Sequence, residues 1–159
     1  MAERRWLDDD EQRAWRSFLV ASTLLSSAID DAAKRHDISG GEYAVLVRLS
    51  EAPGGELRMA QLADGLLHSR SRVTHTIKRM EAKGLVDRAD SAEDGRGVVA
   101  RLTEAGRQRL VDAAPDHVAV VRRHLFDLVG REDMLAFGRV MDAVADDLDA
   151  VSPEANRIR

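Results

Sequence analysis

The hydrophobic period of this chain changes clearly between Gly84 and Thr103, and that change limits the fold more than any other feature. On either side, apolar residues recur every three or four positions, the spacing of one face of an α-helix. Within the segment, residues 85–89 and 98–102 each read as extended, and 91–97, polar and glycine-bearing, reads as the turn joining them. The stretch 85–102 is therefore expected to be a β-hairpin with a long tip, set inside a helical chain.

The helices can be read one by one. An acidic cluster at 8–11 suits a helix N-terminus through the helix dipole. Trp15, Phe18, Leu19, Ser22, Leu25, Ile29 and Ala32 then mark an amphipathic helix to about Arg35. Ser39-Gly40-Gly41-Glu42 is a capping-box pattern opening a second helix with Tyr43, Leu46 and Leu49, which Pro53-Gly54-Gly55 ends. Residues 57–59 form a short extended stretch, and 59–67 a short helix with Leu62, Ala63 and Leu66 inward. Ser69 is an N-cap for a helix running to Lys83, with Gly84 as its C′ residue. Thr103 caps another helix, which Pro115 is expected to kink or interrupt for want of an N–H. After Gly130 a last helix carries Met134, Phe137, Met141, Val144 and Leu148 in a near-heptad stripe. The fold class is mainly α with a small β-hairpin wing. The order helix, helix, hairpin in its middle is that of a winged helix-turn-helix.

The helix after Ser69 has the most distinctive surface. Residues 69–79 contain four basic side chains and no acid. At 100° per residue Val73, Ile77 and Met80 fall together and face inward. Ser71, His75 and Lys78 then lie opposite, with Arg72, Thr74 and Arg79 flanking. Arg and Lys suit guanine edges and phosphates, and Ser, Thr and His bond to bases or backbone. A solvated basic face on an ordinary helix would read the same way in isolation. The neighbouring short helix and hairpin favour nucleic acid, and so does the distribution of charge. Residues 1–56 carry 7 basic and 11 acidic groups, 57–101 carry 9 and 6, and 102–159 carry 8 and 11. A basic middle on a chain of net charge −4 is sufficient for docking, because only the docking face meets phosphates. Arg96, in the Asp94-Gly95-Arg96-Gly97 tip, suits a narrow minor groove, with Asp94 placed to orient it.

Other chemistry is poorly supported. The chain has no cysteine, which excludes disulfides and thiol-based redox sensing. It has no nucleophile–base pair, HExxH or glycine-rich phosphate loop, so an enzyme is not expected, nor is a cofactor. His36, His117 and His124 are candidate metal ligands. However, His117 and His124, seven apart on a helix, stand about 10 Å apart along its axis, too far to share one ion, and no metal site is expected. The polar, acidic start does not read as a signal peptide, and no apolar run approaches membrane-spanning length. A cytoplasmic protein without membrane contact is the expectation.

Leu62-Ala63-Asp64, Ser69-Arg70-Ser71-Arg72-Val73-Thr74, Met80-Glu81-Ala82-Lys83-Gly84-Leu85-Val86, Asp94-Gly95-Arg96 and Leu102-Thr103-Glu104-Ala105-Gly106 together resemble the MarR family of bacterial transcriptional regulators. The resemblance is strong over about 57–106. It implies a homodimer joined through its terminal helices, with two recognition helices in successive major grooves of pseudo-palindromic double-stranded DNA and wings in the flanking minor grooves. It implies DNA contacts from Ser69, Arg70, Ser71, Arg72, Thr74, His75, Lys78 and Arg79, and from Asp94 and Arg96 in the wing. One domain, 1–159, would divide into a DNA-binding lobe at 38–102 and a helical dimerisation lobe at 8–36 and 103–151. Repression is the expected mode, and a small-molecule effector near Trp15 or His36 is an expectation by analogy. The alternative is a winged-helix module that docks proteins and binds no specific DNA.

Overall fold

A computed structural model describes residues 5–90 and 97–149. The first helix, α1 (Asp9–Lys34), starts at Asp8, whose carboxylate accepts from the Asp10 and Glu11 N–H groups while Glu11 accepts from the Asp8 N–H. Next come α2 (Gly40–Glu51), a 3₁₀ turn at Pro53–Gly55, and β1 (Glu56–Arg58). Then follow α3 (Met59–Gly65), α4 (Arg70–Ala82), β2 (Val86–Asp90) and β3 (Val98–Leu102). The chain closes with α5 (Glu104–His124), a 3₁₀ turn at Phe126–Leu128 and α6 (Arg131–Asp149).

Two expectations need correction. The hairpin is part of a three-stranded antiparallel sheet of order β1-β3-β2, in which Ala100 pairs with Leu57 on one side and Arg88 on the other. β1 has only three residues, too few for a legible alternation, yet it satisfies backbone groups that β3 would otherwise leave bare at an edge. Pro115 does not interrupt α5, which runs unbroken from Glu104 to His124. The missing donor leaves the Val111 carbonyl without its helical partner, but Val111 is exposed, so water can serve it. α5 also packs along α1 and α2, which holds the helix through the defect.

The core lies where α2, α3 and α4 meet the base of the sheet. Leu46 and Leu49 of α2, Leu62 of α3, and Ile77 and Met80 of α4 are fully buried, with Leu85, Val86 and Ala100 beneath them. The inward face expected for α4, Val73, Ile77 and Met80, is its buried set. Gly84, with φ +70°, lets the Leu85 N–H turn back to the Met80 carbonyl and end α4. Thr103 caps α5 through the Gly106 N–H and donates its hydroxyl to the Gly84 carbonyl. Gly106 then approaches the Leu85 carbonyl so closely that a Cβ would stand 2.1 Å from that oxygen. The base of the wing and the start of α5 are therefore seated directly on each other.

Apolar side chains on the terminal helices behave otherwise. On α1 only Ala32 and Ala33 are buried, while Trp15, Phe18 and Leu19 are exposed. On α6, Leu135, Phe137, Val140, Val144 and Leu148 are exposed and Met134 and Met141 half-buried.

Candidate nucleic-acid interface

α3 and α4 are joined by a tight turn at 66–69, in which Leu67 takes a left-handed φ of +51°. Ser69 caps α4 through the Arg72 N–H at 3.3 Å and lies 3.2 Å from the Ser71 hydroxyl. With Val73, Ile77 and Met80 locked in the core, the rotation of α4 is fixed. Ser69, Arg70, Ser71, Arg72, Thr74, His75, Lys78 and Arg79 are all exposed: Ser71, Arg72, Thr74, His75, Lys78 and Arg79 lie away from the buried face of α4, Arg70 is in its first turn close to that face, and Ser69 is its N-cap. Asp94 and Arg96, the wing candidates, lie outside the described residues.

The candidates are not equivalent. The Thr74 hydroxyl donates back to the Arg70 carbonyl at 2.8 Å, and Ser69 is occupied as a cap. Arg79 points its Nε to within 3.6 Å of the Glu42 carboxylate on α2. Arg70, Arg72 and Lys78 have no acidic partner among the described residues. Other basic groups of the middle segment are engaged: Arg88 pairs with Glu81 at 2.7 Å and Arg101 with Glu56 at 2.7 Å. The excess charge seen in the sequence is thus concentrated on the outer face of α4, where phosphates can be met without breaking a pair.

Beside α4 lies a cleft of about 400 Å³, floored by Val45, Leu66 and Val73 and rimmed by His68, Arg72 and Arg79. Burial and the neighbouring Arg72 push the His68 imidazole below its ordinary range, as expected where positive charge accumulates. His36 and His117, weighed as metal ligands, serve packing. His36 pairs with Asp116 at 3.0 Å, which with Arg35 holds that carboxyl below its usual range. His117 stacks on Tyr43 at 4.4 Å, and burial lowers its pKa. His124 is exposed, and no cluster of three or more His or acidic residues able to hold a metal occurs among the described residues. Nor does any described helix have the length and apolarity to cross a membrane.

The MarR family model matches residues 36–97. The regulator Sco3205 from Streptomyces coelicolor, a MarR family member solved in complex with DNA, is 39% identical, with 93% of each chain covered and a TM-score of 0.88. The chain belongs to the MarR family. Its members of this kind are transcriptional regulators, and the protein is a regulator rather than an enzyme. Among similar proteins, the HTH-type transcriptional regulator MhqR of Bacillus subtilis is 30% identical over 113 residues, 69% of this chain and 77% of that protein. The repressor IacR of Pseudomonas putida is 33% identical over 93 residues, 58% of this chain and 52% of that protein. The chain thus shares the winged-helix fold of these regulators.

Sequence reasoning missed Glu42 and Lys83. Ser39-x-x-Glu42 is legible as a local cap, but nothing local signals that Lys83, 41 residues on, closes over the same carboxylate.

Proposed function

We propose that the protein is a homodimeric repressor that binds a pseudo-palindromic operator, with α4 of each protomer in a major groove and the wing in the adjoining minor groove. The observation carrying this reading is the outer face of α4: Arg72 and Lys78 without acidic partners among the described residues, around Ser71 and His75, on a helix whose rotation the core fixes and whose first turn adds exposed Arg70. In this reading His75, Lys78 and Ser71 meet base edges and Arg70 and Arg72 meet phosphates, with Ser69 and Thr74 at the margin, and the family resemblance assigns Asp94 and Arg96 of the wing to the minor groove. Dimerisation is supported by the exposed apolar residues of α1, α5 and α6, which one chain does not cover. Repression is supported by the similarity to the repressor IacR. Control by a small molecule belongs to the same reading, since a compact ligand in the cleft beside α4 would bear on Arg72 directly.

Selection of bound fragments from genomic DNA tests the reading. The expected result is a two-fold-related site occupied by two chains, with log affinity falling linearly in log salt. A protein-docking winged helix predicts instead that no duplex is enriched.

A further inference from the structure

We infer that Glu42 is a positioning residue for DNA recognition: its buried carboxylate holds Arg79 and Lys83, fixing the pose of α4 and keeping both cations off the phosphate backbone. This rests on the reading of α4 as the DNA-binding helix and adds a residue that makes no DNA contact itself.

Glu42 is 3% exposed and is the buried charged residue among those described. A carboxylate so placed is costly unless it is paired and hydrogen-bonded. Its Oε2 accepts the Ser39 N–H at 2.9 Å, closing the α2 capping box. The same oxygen accepts from Lys83 Nζ at 3.2 Å, while Oε1 lies 3.6 Å from Arg79 Nε. Lys83 also donates to the Asp37 carbonyl at 2.7 Å, at a residue whose φ is +56°. Lys83 therefore pins the C-terminal end of α4 to both α2 and the turn leading from α1.

The apolar face of α4 sets its depth and rotation but tolerates small slides, because hydrophobic contact is not directional. A charge-assisted hydrogen bond to a buried oxygen is directional, and the one from Lys83 sits at the end of α4 away from Ser69. It fixes the tilt that carries His75 and Lys78. The Glu42 charge also has an electrostatic effect. Arg79, exposed along most of its length and next to the cleft shared with Arg72 and His75, would otherwise add phosphate attraction without sequence information. Pairing with Glu42 lowers non-specific affinity and thereby raises discrimination.

Glu42→Gln removes the charge and keeps the cap, since Gln closes a capping box as Glu does but carries no charge. Wild type and variant are compared on the selected operator and on a random duplex across a salt series, with thermal melting to verify the fold. The expected result for the variant is a salt slope steeper by about one to two, one increment per freed cation. Discrimination between operator and random duplex should fall about tenfold, comparable to one misread base pair. A slope equal to wild type in a folded variant overturns the inference. Should Glu42→Gln not fold, Lys83→Met decides. The wild-type slope is expected, because Lys83 meets no phosphate, and a slope shallower by about one means that it does and the inference is wrong. Failure of the wild-type protein to prefer any duplex would instead remove the DNA reading, and this inference with it.

Discussion

At the scale of single residues, the described histidines divide by burial. His117 stacks on Tyr43 between α5 and α2, and desolvation depresses its pKa from the ordinary 6.5. The unfolded chain then binds a proton more readily than the folded one. Stability supplied by neutral His117 is complete above pH 6.5 and is lost as the pH falls through the depressed folded value. His68 shifts in the same direction for the same first reason, burial. Melting temperature should therefore decline on acidification from pH 7 to pH 5, and His117→Gln should make that decline shallower. Equal declines in the two proteins would show that His117 does not titrate against stability. Residues of the α4 face were legible individually, because Val73, Ile77 and Met80 repeat at helical spacing and so define what lies opposite. The partners of those residues were not. Arg79 reads as a phosphate contact in the sequence, and its pairing with Glu42 emerges only when α2 and α4 are brought together.

At the scale of elements, the base of the wing and the start of α5 are in close backbone contact. Gly106 abuts the Leu85 carbonyl, a backbone atom that cannot swing aside as a side chain would. Gly106→Ala should destabilise the protein by about 3 kcal/mol or more, the class of effect seen when packing is forced against backbone. Melting by circular dichroism checks this, and a loss under about 1 kcal/mol would mean α5 can shift away from Leu85 freely. Sequence periodicity located each of the six α-helices among the described residues. Its failures have identifiable causes. The extended stretch at 57–59 was legible, but its pairing with β3, some forty residues on, was not, because three residues are too few to show a register. Pro115 breaks helices in isolation, but here the surrounding α1 and α2 support the chain through it.

At the scale of the whole molecule, the two ends of the chain lack a core of their own. Among its described side chains α6 buries none fully, yet it presents Phe137, Val144 and Leu148 along one stripe. The stripe was plain in the sequence, whereas its exposure required the fold. If a second protomer covers it, Phe137→Glu should give monomers by sedimentation. Operator affinity should also drop at least about 100-fold, because a monomer forfeits the linkage of two half-sites. A variant that remains dimeric would place the interface elsewhere.

The central claim is that α4 reads bases as well as attracting phosphates, and the most direct measurement is the affinity of His75→Ala/Lys78→Ala for the selected operator and for a random duplex. Each lost base contact is worth about 1–3 kcal/mol of discrimination. Operator affinity is expected to fall about 30-fold or more and to approach that for random DNA, with melting unchanged. A folded variant that still prefers the operator as strongly as wild type would contradict it.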